Sequence, residues 1–120
     1  MASPIIRAAT REDIASFSKL ADGLTMRAIL IEKDGRILAM GGVIRREARW
    51  YAYCDLVEEA RIHKMTLMRA GKKMVEMLKA MGIRQAYAYP DPNEPRSMQW
   101  LMSLGFVPDT RVRDLYRWKA

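Results

Sequence analysis

Hydrophobic positions change period several times along this 120-residue chain, and each change marks a predicted element. "PIIRA" near the start is a short apolar run, a strand candidate. "ATREDIASFSKLADG" switches to helical spacing. Thr10 with Asp13 three residues on is a capping-box-like start, and Asp22-Gly23 predicts the end. From Arg27 three β-rich runs follow: Ala28 to Glu32, Arg36 to Ile44 and Trp50 to Val57. Asp34-Gly35 in "KDGR" supplies the positive-φ pair that a tight hairpin turn needs, and "RREAR" is a second, polar turn. An antiparallel meander is the expected result.

The longest helical pattern runs from about Lys64 to Met81. Leu67, Met68, Gly71, Met74, Val75, Leu78 and Met81 form one stripe, with Arg69, Lys72, Lys73, Glu76 and Lys79 opposite, and Gly82 as the stop. Gly71 lies on the apolar stripe, where it would let the helix approach a sheet closely. "IRQAYAYP" returns to period two: Ile83, Gln85, Tyr87 and Tyr89 on one face, Arg84, Ala86 and Ala88 on the other. "PDPNEP" can continue neither element, because proline lacks a donor and fixes φ. Pro95 suits the first turn of a last helix, with Met98, Leu101, Met102 and Trp100 facing inward and Gly105 ending it. "FVPD" and "RVRDLYRWK" close the chain as short strands, and an exposed last strand would suit pairing with a second copy.

Length and composition fit one globular domain over residues 1–120: half of the residues are hydrophobic and 29% are charged. No run approaches the ~18 apolar residues of a membrane span, and "MASPIIRAATRED" lacks the apolar core of a secretory signal, so a soluble cytoplasmic protein without a membrane partner is expected. Cys54, the only cysteine, excludes an internal disulfide and reads as a small buried hydrophobe. His63, the only histidine, has no spaced partners, so no metal site is expected. The net charge of +7 is uneven: residues 61–120 carry twelve Lys/Arg against five Asp/Glu, whereas residues 1–60 carry nine of each. Such an excess suggests an anionic partner or a solvated helix face.

The order strand, helix, three-strand meander, helix, strand, helix, strand resembles the GCN5-related N-acetyltransferase superfamily over nearly the whole chain. "IIRAATREDI", "DGRILAMGGVI", "WYAYCDLV", "MGIRQAYAY" and above all "SMQWLMSLGFVPD" carry the resemblance. It implies an α+β fold with a mixed, mainly antiparallel sheet of about six to seven strands and helices on both faces. It further implies that the sheet splays between its fourth and fifth strands to take acyl-CoA, acetyl-CoA being the expected cofactor. The pyrophosphate would rest on the backbone at the start of the long helix, where unpaired N–H groups and the helix dipole favour anions. On that basis Leu56 and Val57 would line the pantetheine channel through their backbone, and His63, Lys64, Met65, Thr66 and Leu67 would receive the pyrophosphate.

The chain departs from the superfamily in that loop. Active members usually carry Arg/Gln-x-x-Gly-x-Gly/Ala, whereas here Arg61-Ile62-His63-Lys64-Met65-Thr66 has Lys64 in place of the first glycine and neither glycine present. Side-chain charge from His63, Lys64 and Arg69 could compensate; otherwise the cofactor site is lost. Trp50, Tyr51, Ala52 and Tyr53 occupy strand positions where a carboxylate base is often found, and Leu101 stands where a tyrosine acid is frequent, which leaves the catalytic residues unassigned. Asp55, Glu58 and Glu59 are expected to flank the following loop; Tyr87 and Tyr89 could substitute for the missing acid, but an alternating pair in a strand is expected to pack. The short length, glycine-poor helix start and basic central helix are also similar to the acetyltransferase-like internal virion proteins of short-tailed phages. That likeness implies a non-catalytic alternative, a virion component working through a protein partner or self-assembly. Nucleic-acid binding is not expected, since no helix-turn-helix, zinc or aromatic RNA-binding signature is present.

Overall fold

The capping box at Thr10 closes in both directions: Asp13 N–H donates to Thr10 Oγ1 at 3.1 Å and Thr10 N–H donates to Asp13 Oδ2 at 2.8 Å. A computed structural model describes residues 3–17, 25–94 and 96–120 of the chain. In it β1 (Ile5–Ala8), α1 (Arg11–Phe17), β2 (Thr25–Lys33), β3 (Arg36–Arg46) and β4 (Arg49–Leu56) are followed by a 3-10 turn (Glu58–Ile62) and α2 (Lys64–Ala80). Then come β5 (Gln85–Ala88), α3 (Ser97–Ser103), β6 (Val107–Pro108) and β7 (Tyr116–Lys119). The expected end of α1 at Asp22-Gly23 and the place of Pro95 lie outside the described residues.

Both turns of the meander are set by left-handed residues. Asp34 and Gly35 have φ of 53° and 75°, and Glu47 and Ala48 have φ of 49° and 66°, so "RREAR" is a two-residue turn and the strands run longer than their apolar runs. At Gly42 a Cβ would lie 2.0 Å from the Arg27 carbonyl oxygen, so no side chain fits between β2 and β3 there. Gly82 takes φ 74° directly after the C-cap of α2, the expected stop.

All seven strands form one α+β sheet in the order β1-β2-β3-β4-β5-β7-β6, antiparallel at every pair except β4 with β5. One face is covered by α2 and α3: Met74 and Leu78 pack with Val43, Ala86, Ala88, Leu101, Leu104 and Trp118. On the other face Ile14 and Phe17 of α1 cover Ala28, Leu30 and Met40. Three expectations are corrected. The last strand, β7, is interior, and the edge beside it is the two-residue β6 with Pro108, which offers little for pairing with a second copy. Met98 and Met102 face solvent, because Leu101 and Leu104 take the inward positions of the short α3. Gly71 makes room for Leu104 and Trp100, not for the sheet: a Cβ there would lie 2.9 Å from Leu104 Cδ2.

Candidate active-site cleft

β4 and β5 are parallel and pair only at Tyr51 and Tyr87. Beyond that bridge they part, since "PDPNEP" after β5 cannot pair. The opening is a cleft of about 900 Å³ between β4, the first turns of α2 and the side of α3, at the upper end of the range for small-ligand pockets. Val57 N–H donates to the Leu38 carbonyl at 2.9 Å. In an antiparallel ladder alternate residues bond the same neighbour, so Asp55 and Tyr53 also turn their backbone to β3. Cys54 and Leu56 therefore present N–H and C=O to the cleft, while Ala52 N–H serves the bridge to Tyr87.

The residues expected to hold a cofactor divide accordingly. Leu56, Lys64 and Leu67 line the cleft. Val57 does not: its N–H is spent on β3 and its side chain packs near Ile31, Leu38 and Ala39. His63 is the N-cap of α2 and makes no side-chain capping bond. The first intrahelical bond runs from Leu67 N–H to the His63 carbonyl at 2.9 Å, which leaves the N–H groups of Lys64, Met65 and Thr66 pointing out of the helix start. The Met65 side chain is exposed, and His63 Nε2 is buried without a partner.

Several cleft residues were not expected from sequence. Asp55 shares the lining with Asp91, and partial burial together with that neighbouring carboxylate raises its pKa. It stands two and four residues after Tyr53 and Tyr51 on the same face of β4, an alternation that could have marked it. Tyr53 Oη and Trp100 Nε1 line the cleft or its floor, buried and without hydrogen-bond partners. Cys54 is solvent-exposed in the cleft and not a core hydrophobe; the surrounding walls and Asp55 push its thiol up to about 12, so it stays protonated near neutral pH. At the mouth Arg61 bonds Glu94 at 2.9 Å, joining the turn before α2 to the loop after β5.

No family model matches the chain, and no curated protein matches it in sequence. Solved structures do match in fold. The ribosomal-protein-S18-alanine N-acetyltransferase from Escherichia coli superposes with a TM-score of 0.70 at 10% identity, over 98% of this chain and 94% of that one. An N-acetyltransferase from Staphylococcus aureus Mu50 gives 0.69 at 14% identity, over 98% and 99%. The aminoglycoside acetyltransferase AAC(6')-Ib, solved with coenzyme A and kanamycin, gives 0.67 at 12% identity, over 98% and 95%. The chain therefore has the N-acetyltransferase fold.

Proposed function

We propose that the protein is an acyl-CoA-dependent N-acyltransferase that moves an acetyl group from acetyl-CoA to an amine. One observation carries this reading: the uncapped start of α2 and the open backbone edge of β4 face the same cleft. The residues fit the cofactor in kind, and a structural neighbour was solved with coenzyme A. The N–H groups of Lys64, Met65 and Thr66, with the Lys64 ammonium, would hold the pyrophosphate. The backbone of Leu56 and Cys54 would pair with the pantetheine amides along apolar walls of Leu67 and Trp100. Bound there, the thioester supplies an activated acetyl carbonyl.

The cleft's own groups supply proton handling. An acceptor amine arrives as an ammonium and must lose a proton before it can attack. Asp55, its proton affinity raised by partial burial and then by Asp91, takes that proton, while the Asp91 carboxylate draws the cation in. Tyr53 Oη, pushed up to about 12 chiefly by burial, stays protonated and can donate to the departing sulfur.

Isothermal titration with acetyl-CoA and CoA at low and moderate salt tests the reading. A micromolar dissociation constant that weakens more than tenfold in Lys64→Glu is expected. No heat and no thermal stabilisation at millimolar ligand would sink it, and would leave the fold as a binding scaffold.

A further inference from the structure

At the N-terminal end of β4, on the sheet face that bears Tyr51 and Tyr53, the fold gathers cations that are scattered in sequence. Arg46 and Arg49 are cross-strand partners beside the β3–β4 turn. Tyr87 stands opposite Tyr51 on one side and Arg117 on the other, and one step along the same face Gln85 stands opposite Lys119. Among the described residues none of Arg46, Arg49, Arg117 and Lys119 makes a direct ion pair, although the Asp109 carboxylate lies near enough to Arg117 to be stabilised by it. Arg117 Nε is buried with no hydrogen-bond acceptor. Like charges directly opposite one another destabilise a sheet, so stability alone does not account for the arrangement.

Aromatic rings lie among these charges. The Arg49 guanidinium sits 5.0 Å from the Tyr87 ring centroid, and the Tyr51 and Tyr87 centroids are 5.9 Å apart. Tyr89 lies parallel to Tyr51 within 8° at 6.5 Å and keeps 59% of its surface in solvent. Unpaired cations around an exposed, stacked tyrosine match a polyanion that also presents flat rings, which is the chemistry of a single-stranded nucleic acid. The outer face of α2, with Arg69, Lys72, Lys73 and Lys79, is also basic but offers no aromatic ring.

We propose that this face of the sheet binds single-stranded nucleic acid, its phosphates on Arg46, Arg49, Arg117 and Lys119 and a base stacked on Tyr89. The four cations lie at the opposite end of β4 from the α2 start, whereas Tyr89 also borders the cleft, so the two ligands meet only at that ring.

Fluorescence anisotropy with a labelled oligouridylate of about 12 nucleotides, without CoA, tests it. Binding should weaken steeply with salt. The triple variant Arg46→Ser, Arg49→Ser, Lys119→Ser, all at exposed positions, should lose more than about tenfold in affinity and flatten the salt dependence. Tyr89→Ala should cost about tenfold, and Lys72→Ser with Lys73→Ser should change nothing. No binding at low salt would overturn the proposal. So would equal competition by duplex or by polyglutamate, or loss of binding in the α2 variant with the triple variant unaffected. Melting temperatures of all variants establish that the folded protein is compared.

Discussion

At its C-terminal end β4 borders a cleft where three carboxylates, Asp55, Asp91 and Glu94, face three cations, Arg61, Lys64 and Arg96. At its N-terminal end, on the Tyr51 face, four cations have no ion-pair partner among the described residues. The balanced end tunes its groups locally: partial burial and then Asp91 raise the proton affinity of Asp55, and Glu94 holds Arg61. The unbalanced end projects a field outward, as a surface does when its partner supplies the opposite sign. Net charge alone could not separate the two, because β-pairing mixes Arg46 and Arg49 from the first half of the chain with Arg117 and Lys119 from the second.

The two ends share a core, and removing part of it should abolish both. Leu78 is fully buried between the sheet and α3; Leu78→Ala should cost about 2–5 kcal/mol in chemical denaturation and lower oligonucleotide and CoA binding together. Loss of one alone would show that the ends fold separately. Within the cleft, Asp55→Asn should reduce acetyl transfer by about a hundredfold or more with CoA affinity unchanged in titration. An unchanged rate would remove Asp55 as the base.

A smaller effect sharpens the contrast. Glu94→Gln frees Arg61, so CoA should bind a few-fold more tightly, while stability changes by less than about 1 kcal/mol because the pair is partly exposed. Weaker CoA binding would mean that the pair shapes the mouth. The smallest effects are in pH dependence. Asp13, bonded by Arg7 and Thr10, titrates well below its ordinary 3.8, so its stabilising effect is present above that value and fades as pH falls below it. Asp55 has the opposite sign: its contribution is present in acid and is lost as pH rises through its raised pKa. Melting curves against pH should therefore lose part of their acid slope in Asp13→Asn and steepen in Asp55→Asn.

What was legible in the sequence was local. Thr10 with Asp13, Asp34 with Gly35 and the Gly82 stop are set by residues within a few positions of one another, and each formed. The split of β5 into small and large faces held within the strand, with Ala86 and Ala88 under the helices and Tyr87 opposite, but Ile83, expected on the tyrosine face, precedes the strand and is buried with the alanines. What was missed depends on which strands become neighbours. Asp55 was expected at a loop, yet the parting of β4 from β5 sets it beside Asp91. The same parting exposes Cys54, and the placing of β7 between β5 and β6 makes an apparent edge internal. In α3 helical spacing admitted Met98 and Met102, but seven residues bury only a narrow stripe.

The lone backbone bridge between Tyr51 and Tyr87 also has a mechanical meaning. β1 to β4 form one plate and β5 to β7 a second, riveted at that point and otherwise held by side chains beneath α2. A ligand that widened the cleft would lever the plates about the rivet, and the rivet's own residues are the tyrosines at the basic end. Amide exchange at Tyr87, whose N–H faces β4, should therefore slow when CoA is added, although Tyr87 does not line the cleft. A pivot of this kind would let a ligand at one end of β4 be felt at the other.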